Sequence, residues 1–227
     1  MASIYICFAD ATGEVELMAR AIGDGVKEYG GEPILAYVPP LEHKLGEVLE
    51  DPLRRMLDER CRKEYALADS TELLKCDGAA FGTPAIYASA SAEMKDFIDS
   101  LFRVRRNGEL FNKPAATFTA THVGESGQEL TKFTMWAPLS LLGFIMIGIP
   151  QAAPNLATTY EQSFVLGPDH RSHPKAPRLL TKSEWTHCHV IGARLAITAE
   201  RMSEVAGDDA LMTAHAKAAV ARGGPSL

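Results

Sequence analysis

The chain has 227 residues, 46% hydrophobic and 23% charged, the proportions of one enzyme-sized domain with a single core. Its 23 basic residues against 29 acidic ones give a formal net charge of -6, which excludes the basic footprint of a nucleic-acid binder or of a protein held on an anionic membrane. Small molecules and further copies of the chain are the partners left.

Cys7, Cys61, Cys76 and Cys188 are widely spaced, form no CxxC pair and follow no secretory signal, so they read as reduced thiols of a cytoplasmic protein. The most apolar window, Leu139 to Pro150, is too short to span a bilayer.

Ser3 to Ala9, rich in β-formers, predicts a first buried strand that ends at the turn Asp10-Ala11-Thr12-Gly13. A helix follows with Val15, Met18, Ala19, Ile22 and Val26 as its core stripe and Gly30-Gly31 as its stop. Pro33 to Tyr37 is a second strand, reached by a right-handed parallel crossover. Residues 38–70 are charged, punctuated by prolines and read as a surface insertion with a helix over Leu53 to Tyr65. A short helix, Thr71 to Lys75 capped by Ser70, leads to a third strand at Gly78-Ala79-Ala80-Phe81.

Gly82 and Pro84 stop that strand, and Ser91 caps a helix whose Met94, Phe97, Ile98 and Leu101 recur at helical spacing. Such a strand-turn-helix unit at the centre of an open α/β sheet is where a ligand is expected. Ala115 to Thr121 is a fourth strand, Gln128 to Leu142 a helix with Phe133, Trp136 and Leu141 available to pack and Pro138 as a kink or shifted start, and Phe144 to Ile149 a fifth strand. Residues 152–181 form a long proline-rich loop, Ser183 caps a last helix to about Met202, and 207–227 is an alanine-rich tail. Five strands alternating with helices predict one domain over 1–227: a doubly wound, five-stranded parallel α/β sheet of flavodoxin type with helices on both faces.

Four segments resemble the WrbA family of flavodoxin-like NAD(P)H:quinone oxidoreductases: Gly13 to Arg20, Phe81-Gly82-Thr83-Pro84 with Ser91 to Asp99, Ser126-Gly127-Gln128-Glu129, and Leu141 to Ile147. The resemblance spans about residues 1–150. It implies FMN as cofactor, NAD(P)H as co-substrate, a quinone-like acceptor and assembly as a dimer or tetramer. No side chain is an obvious acid, base or nucleophile, because the flavin would carry the redox chemistry.

The resemblance also implies three cofactor loops. In the first, Asp10, Thr12, Gly13, Glu14 and Val15 would cradle the phosphate at a helix N-terminus. Asp10 stands where the family places serine, and reads either as a mark of an altered ligand or as an Asx cap closing its own turn. In the second, Thr83, Pro84, Ala85, Ile86 and Tyr87 would wrap the ring, with Tyr87 either against a ligand ring or at a subunit contact. The third offers Thr119, Thr121, His122 and Gly124, with His122 and Glu125 where small residues are expected. Arg105, with Arg103 and Arg106, reads as a substrate-binding cation or as part of a solvated face. An alternative function keeps the fold without flavin and acts on, or binds, a small anion through Asp10, Glu14, His122 and Arg105. Asp10, Glu14, His122 and Glu125, with His170 and His173, also frame an acid-base or metal alternative, but no ligand spacing supports a metal, and His187 and His189 cannot share a helix face.

Overall fold

Alternation along the first strand divides the core in two. In β1 (Ser3–Phe8), Ile4, Ile6 and Phe8 enter one apolar cluster while Tyr5 and Cys7 enter the other, as the two-residue period of a strand covered on both faces requires. The first cluster is closed by α1 (Glu14–Glu28), whose Val15, Met18, Ile22 and Val26 are the expected stripe. The chain then enters β2 (Glu32–Tyr37), parallel to β1. The computed structural model describes residues 1–104, 108–121, 127–149, 163–165 and 179–205.

A turn of 3-10 helix, α2 (Leu45–Glu50) and α3 (Pro52–Glu64) occupy the segment after β2, and α3 buries Cys61 against the first cluster. That segment also returns a two-residue strand, β3 (Ala66–Leu67), to the outer edge of β2. The short helix α4 (Ser70–Lys75) is capped by Asp69, whose carboxylate accepts from the Thr71 amide, and not by Ser70. β4 (Gly78–Pro84) lies on the other side of β1, and the helix that follows it, α5 (Ala92–Val104), begins at Ser91, whose hydroxyl accepts from the Met94 amide.

β5 (Pro114–Thr121) pairs with β4 and is buried throughout. In α6 (Gln128–Leu141) the helix runs through Pro138, and its buried positions are Gln128, Thr131, Met135 and Leu139. Phe133 and Leu141, expected inside, are exposed, and the Trp136 indole is partly buried with its N-H donated to the Thr117 hydroxyl. The expected fifth strand shortens to β6 (Ile145–Met146), which pairs with the start of β5, and β7 (Ser163–Val165), within the stretch expected as a loop, pairs with its end, both parallel. The sheet order is therefore β3-β2-β1-β4-β5-β6 with β7 also on β5, seven strand segments where five were expected and the same doubly wound class.

The last helix, α7 (Lys182–Val205), starts two residues earlier than a Ser183 cap would place it. Thr181 and Glu184 form a reciprocal capping box, each accepting from the other's amide at 3.2 and 2.6 Å. α7 packs on α1 backbone to backbone: a Cβ on Gly25 would stand 2.0 Å from the His189 carbonyl oxygen, and one on Gly192 would stand 1.9 Å from that of Ile22. Gly82 plays the same part inside the sheet, where a Cβ would meet the Phe118 ring at 2.2 Å and Val15 at 2.9 Å. Among the described residues no helix is long and apolar enough to cross a membrane.

Candidate functional site

The carboxyl ends of β1, β4 and β5 lie side by side, because Phe8 pairs with Gly82 and Thr83 with Thr119. The loops that leave them share one edge of the sheet at the point where strand order reverses, the crevice such sheets use for ligands.

Past β1 the chain turns through Asp10-Ala11-Thr12-Gly13, and Gly13 takes a left-handed conformation (φ 97°) to begin α1. Successive amides converge on one point inside this turn, and a side chain occupies it. Asp10 Oδ1 accepts from the amides of Ala11 (2.7 Å), Thr12 (3.0 Å) and Gly13 (3.0 Å), and its Oδ2 from that of Glu16 (2.8 Å). Three loop amides and one from the first helical turn thus surround a carboxylate where an anion-binding nest would hold a ligand. Burial pushes the Asp10 carboxyl up to about 6, against the amide bonds, which pull it down, and with Glu14 adding to the rise.

Glu14 folds back on the same loop. It is 3% exposed, one oxygen accepts from the Thr12 hydroxyl, and the other, Oε1, has no hydrogen-bond partner among the described residues. Glu16 is the better satisfied acid of this turn: Arg20 and Arg60 donate to it, as does the Tyr65 hydroxyl at 2.7 Å. Burial alone would raise the Glu16 carboxyl, but the bonds from Arg60 and Tyr65 and the Arg60 charge carry it below the usual carboxylate range. Arg20 was readable from its i,i+4 spacing to Glu16, whereas Arg60 and Tyr65 arrive from α3 through tertiary folding alone.

Beyond β4 the chain makes a tight reversal. Ile86 and Ser89 exchange two backbone hydrogen bonds of 3.0 Å, with Tyr87 (φ 48°) and Ala88 (φ 59°) both left-handed at the tip. Tyr87 is fully exposed and Ile86 is exposed beside it. The base of the turn is fixed from below: the Thr83 hydroxyl accepts from the Ser91 amide at 2.9 Å, the Thr119 hydroxyl donates to the Thr83 carbonyl at 2.7 Å, and the Ala85 amide donates to the Ala120 carbonyl at 2.8 Å. Gly127, just before α6, touches the tip, since a Cβ there would stand 2.4 Å from that of Ala88.

Of the residues expected to form the site, Asp10, Thr12, Gly13 and Glu14 are brought together in the first turn, and Pro84, Ala85, Ile86 and Tyr87 in the second. Val15, Thr83, Thr119 and Thr121 are buried and build the frame beneath. His122, Gly124, Arg105, Glu125, His170 and His173 lie outside the described residues. Ala88, which no residue preference marked for a left-handed turn, was missed. Among the described residues no group of three or more His, Cys, Asp or Glu could hold a metal. A separate cavity of about 580 Å³ between Val38–Glu42, Ala68–Thr71 and α5 carries Glu42, Asp69, Glu93 and Asp96 on its walls, a lining that disfavours anions.

With this geometry in view, residues 18–158 match the model of the NADPH-dependent FMN reductase family. The chain belongs to that family. The match includes the second turn and the start of α6 but begins after the first loop. An NAD(P)H dehydrogenase (quinone) of Archaeoglobus fulgidus is 32% identical over 152 residues, 67% of this chain and 78% of the relative. A protein of the same description from Trichlorobacter lovleyi is 28% identical over 208 residues, 86% of this chain and 99% of the relative. A flavodoxin-type, WrbA-like protein from Agrobacterium tumefaciens superposes with a TM-score of 0.56 at 13% identity, covering 88% of this chain and 99% of its own, and so shows the flavodoxin-like fold. These relatives bear out the WrbA-like resemblance.

Tested against FMN, the two turns differ. The second presents a flat, fully exposed aromatic, which fits a ring. The first has the amides a phosphate needs, but Asp10 holds them, so the residues present fit the flavin ring and not its phosphate.

Proposed function

We propose that the protein is a flavodoxin-like oxidoreductase that passes reducing equivalents from NAD(P)H through a bound flavin to a quinone-like acceptor. The observation that carries this reading is the rigidly seated turn with Tyr87 fully exposed at the carboxyl end of the central strand, in a chain of this family. Flavin, when bound, supplies the redox chemistry. The protein's part is placement. Thr83 and Thr119 lock the turn from below, and the backbone of Pro84 to Ser89 with the exposed Tyr87 would hold the flavin ring there. Donor and acceptor then share the open side in succession.

Exposed Phe102, Leu130, Phe133 and Leu141 on α5 and α6 support self-association as a dimer or tetramer. The four cysteines are all buried free thiols, which supports a cytoplasmic setting. Titration of the purified protein with FMN, followed by NADPH and a soluble quinone, tests the activity. NADPH consumption that requires both flavin and quinone is expected, and a protein that takes up no flavin at micromolar concentration refutes the reading.

A further inference from the structure

We propose that Asp10 is a built-in anion that holds the phosphate's place in the first-loop nest, so that this site takes a flavin whose ribityl tail ends in a hydroxyl in preference to one that ends in phosphate. This rests on the flavin reading above and specifies which flavin the site favours.

Three features of the loop carry it. The amides of Ala11, Thr12, Gly13 and Glu16 are the donors a bound anion would use, and all four end on Asp10 at 2.7 to 3.0 Å. A phosphate would have to evict the carboxylate from every one of these bonds. Next, the buried Glu14 carboxylate lies against the same loop, and its Oε1 has no partner among the described residues. A buried acceptor without a donor is costly; a ligand hydroxyl supplies one, and an ionised phosphate does not. Finally, the two guanidinium groups that reach this helical turn, Arg20 and Arg60, are already bonded to Glu16, which leaves Asp10 and Glu14 uncompensated by them.

Repulsion between a carboxylate and one phosphate charge about 4 Å apart, at an effective dielectric near 20, corresponds to roughly 1,000-fold in affinity. At pH 8 the Asp10 carboxyl, pushed up to about 6, is ionised, and so is the phosphate.

The test is equilibrium binding of FMN and of riboflavin to the full chain at pH 8, followed by quenching of flavin fluorescence, for the unsubstituted protein, Asp10→Ser and Asp10→Asn. The unsubstituted protein is expected to bind riboflavin at least as tightly as FMN. Asp10→Ser should tighten FMN by about 10-fold or more, while riboflavin changes by less than about 3-fold, within the repulsion given above. Asp10→Asn keeps the shape of the side chain without its charge, so it shifts the FMN-to-riboflavin ratio in the same direction even where the serine variant fails to fold. A protein that prefers FMN by about 10-fold, or variants that leave the ratio unmoved, overturn the role of Asp10 while leaving the flavin reading intact. Absence of binding by both flavins to all three proteins overturns both.

Discussion

Replacing Arg60 by Met should destabilise the protein more than replacing Glu16 by Gln, although both break the same ion pair. The Glu16 side chain is 2% exposed and accepts from Arg20, Arg60 and Tyr65, whereas the side chains of Arg20 and Arg60 are 48% and 38% exposed. When Glu16 becomes neutral, both guanidinium groups turn to water, and the cost is about 1 kcal/mol. When Arg60 is removed, a buried carboxylate loses two donors and a compensating charge at once. Charge-assisted bonds of about 1.5 to 3 kcal/mol each, discounted for the partial exposure of Arg60, put that cost at about 2 to 3 kcal/mol. Urea unfolding followed by far-ultraviolet circular dichroism at pH 7.5 measures both, with the double variant closing the cycle at less than the sum. Equal losses, or a loss below about 0.5 kcal/mol for Arg60→Met, would show the cluster to be an ordinary surface pair and refute the reasoning. Acid adds a second reading. Because the folded Glu16 carboxyl lies below its usual value, its contribution is present above about pH 4.5 and is lost as pH falls through the lowered folded value, and that acid loss should shrink in Arg60→Met.

Gly192→Ala drives a methyl into the Ile22 carbonyl at the α1-α7 contact; a loss of about 3 kcal/mol or more in the same assay is expected, and a neutral result would mean that the two helices part freely. Tyr87→Ala should leave stability within about 0.5 kcal/mol, since the side chain is fully exposed, yet weaken flavin binding by about 5- to 10-fold; unchanged flavin affinity argues against ring contact. Asp10→Asn gives a pH signature. A carboxyl raised in the folded state from 3.8 to about 6 contributes most below about pH 3.8 and loses that contribution as pH rises through 6. The stability of the unsubstituted protein relative to Asp10→Asn should therefore fall by about 2 to 3 kcal/mol between pH 4 and pH 8; a flat difference contradicts the burial of that carboxyl.

The sheet and its main helices were legible because apolar residues in β1 and α1 follow the strand and helix periods without competition. The span of α6 was legible as well, but its inward face was not, because its buried stripe is partly polar. Thr131 sits inside by donating its hydroxyl to the Gly127 carbonyl, while Phe133 and Leu141 face outward, so counting apolar residues selects the wrong side. Two caps moved by a residue or two because neighbouring residues were both able to cap, Asp69 beside Ser70 and Thr181 near Ser183, and only backbone geometry chooses between them. The position of the site followed from the strand-turn-helix pattern around Gly82. Its contents did not: the sequence allows Asp10 as cap or as ligand contact, and the four amides that settle its partner belong to backbone shape.

That β5 has two separate partners along its outer edge bears on the order in which the sheet closes. The first half of β5 is covered by β6, some thirty residues along the chain, and the loop between them is already shortened by α6. Its second half, Thr119 to Thr121, waits for β7, which lies further along the chain. Closing that longer loop costs more chain entropy, so the end of β5 beneath the ligand edge acquires its outer partner last and gives it up first. Hydrogen exchange should accordingly show Ser163 to Val165 opening ahead of Ile145 and Met146, leaving the two halves of one strand with different lifetimes.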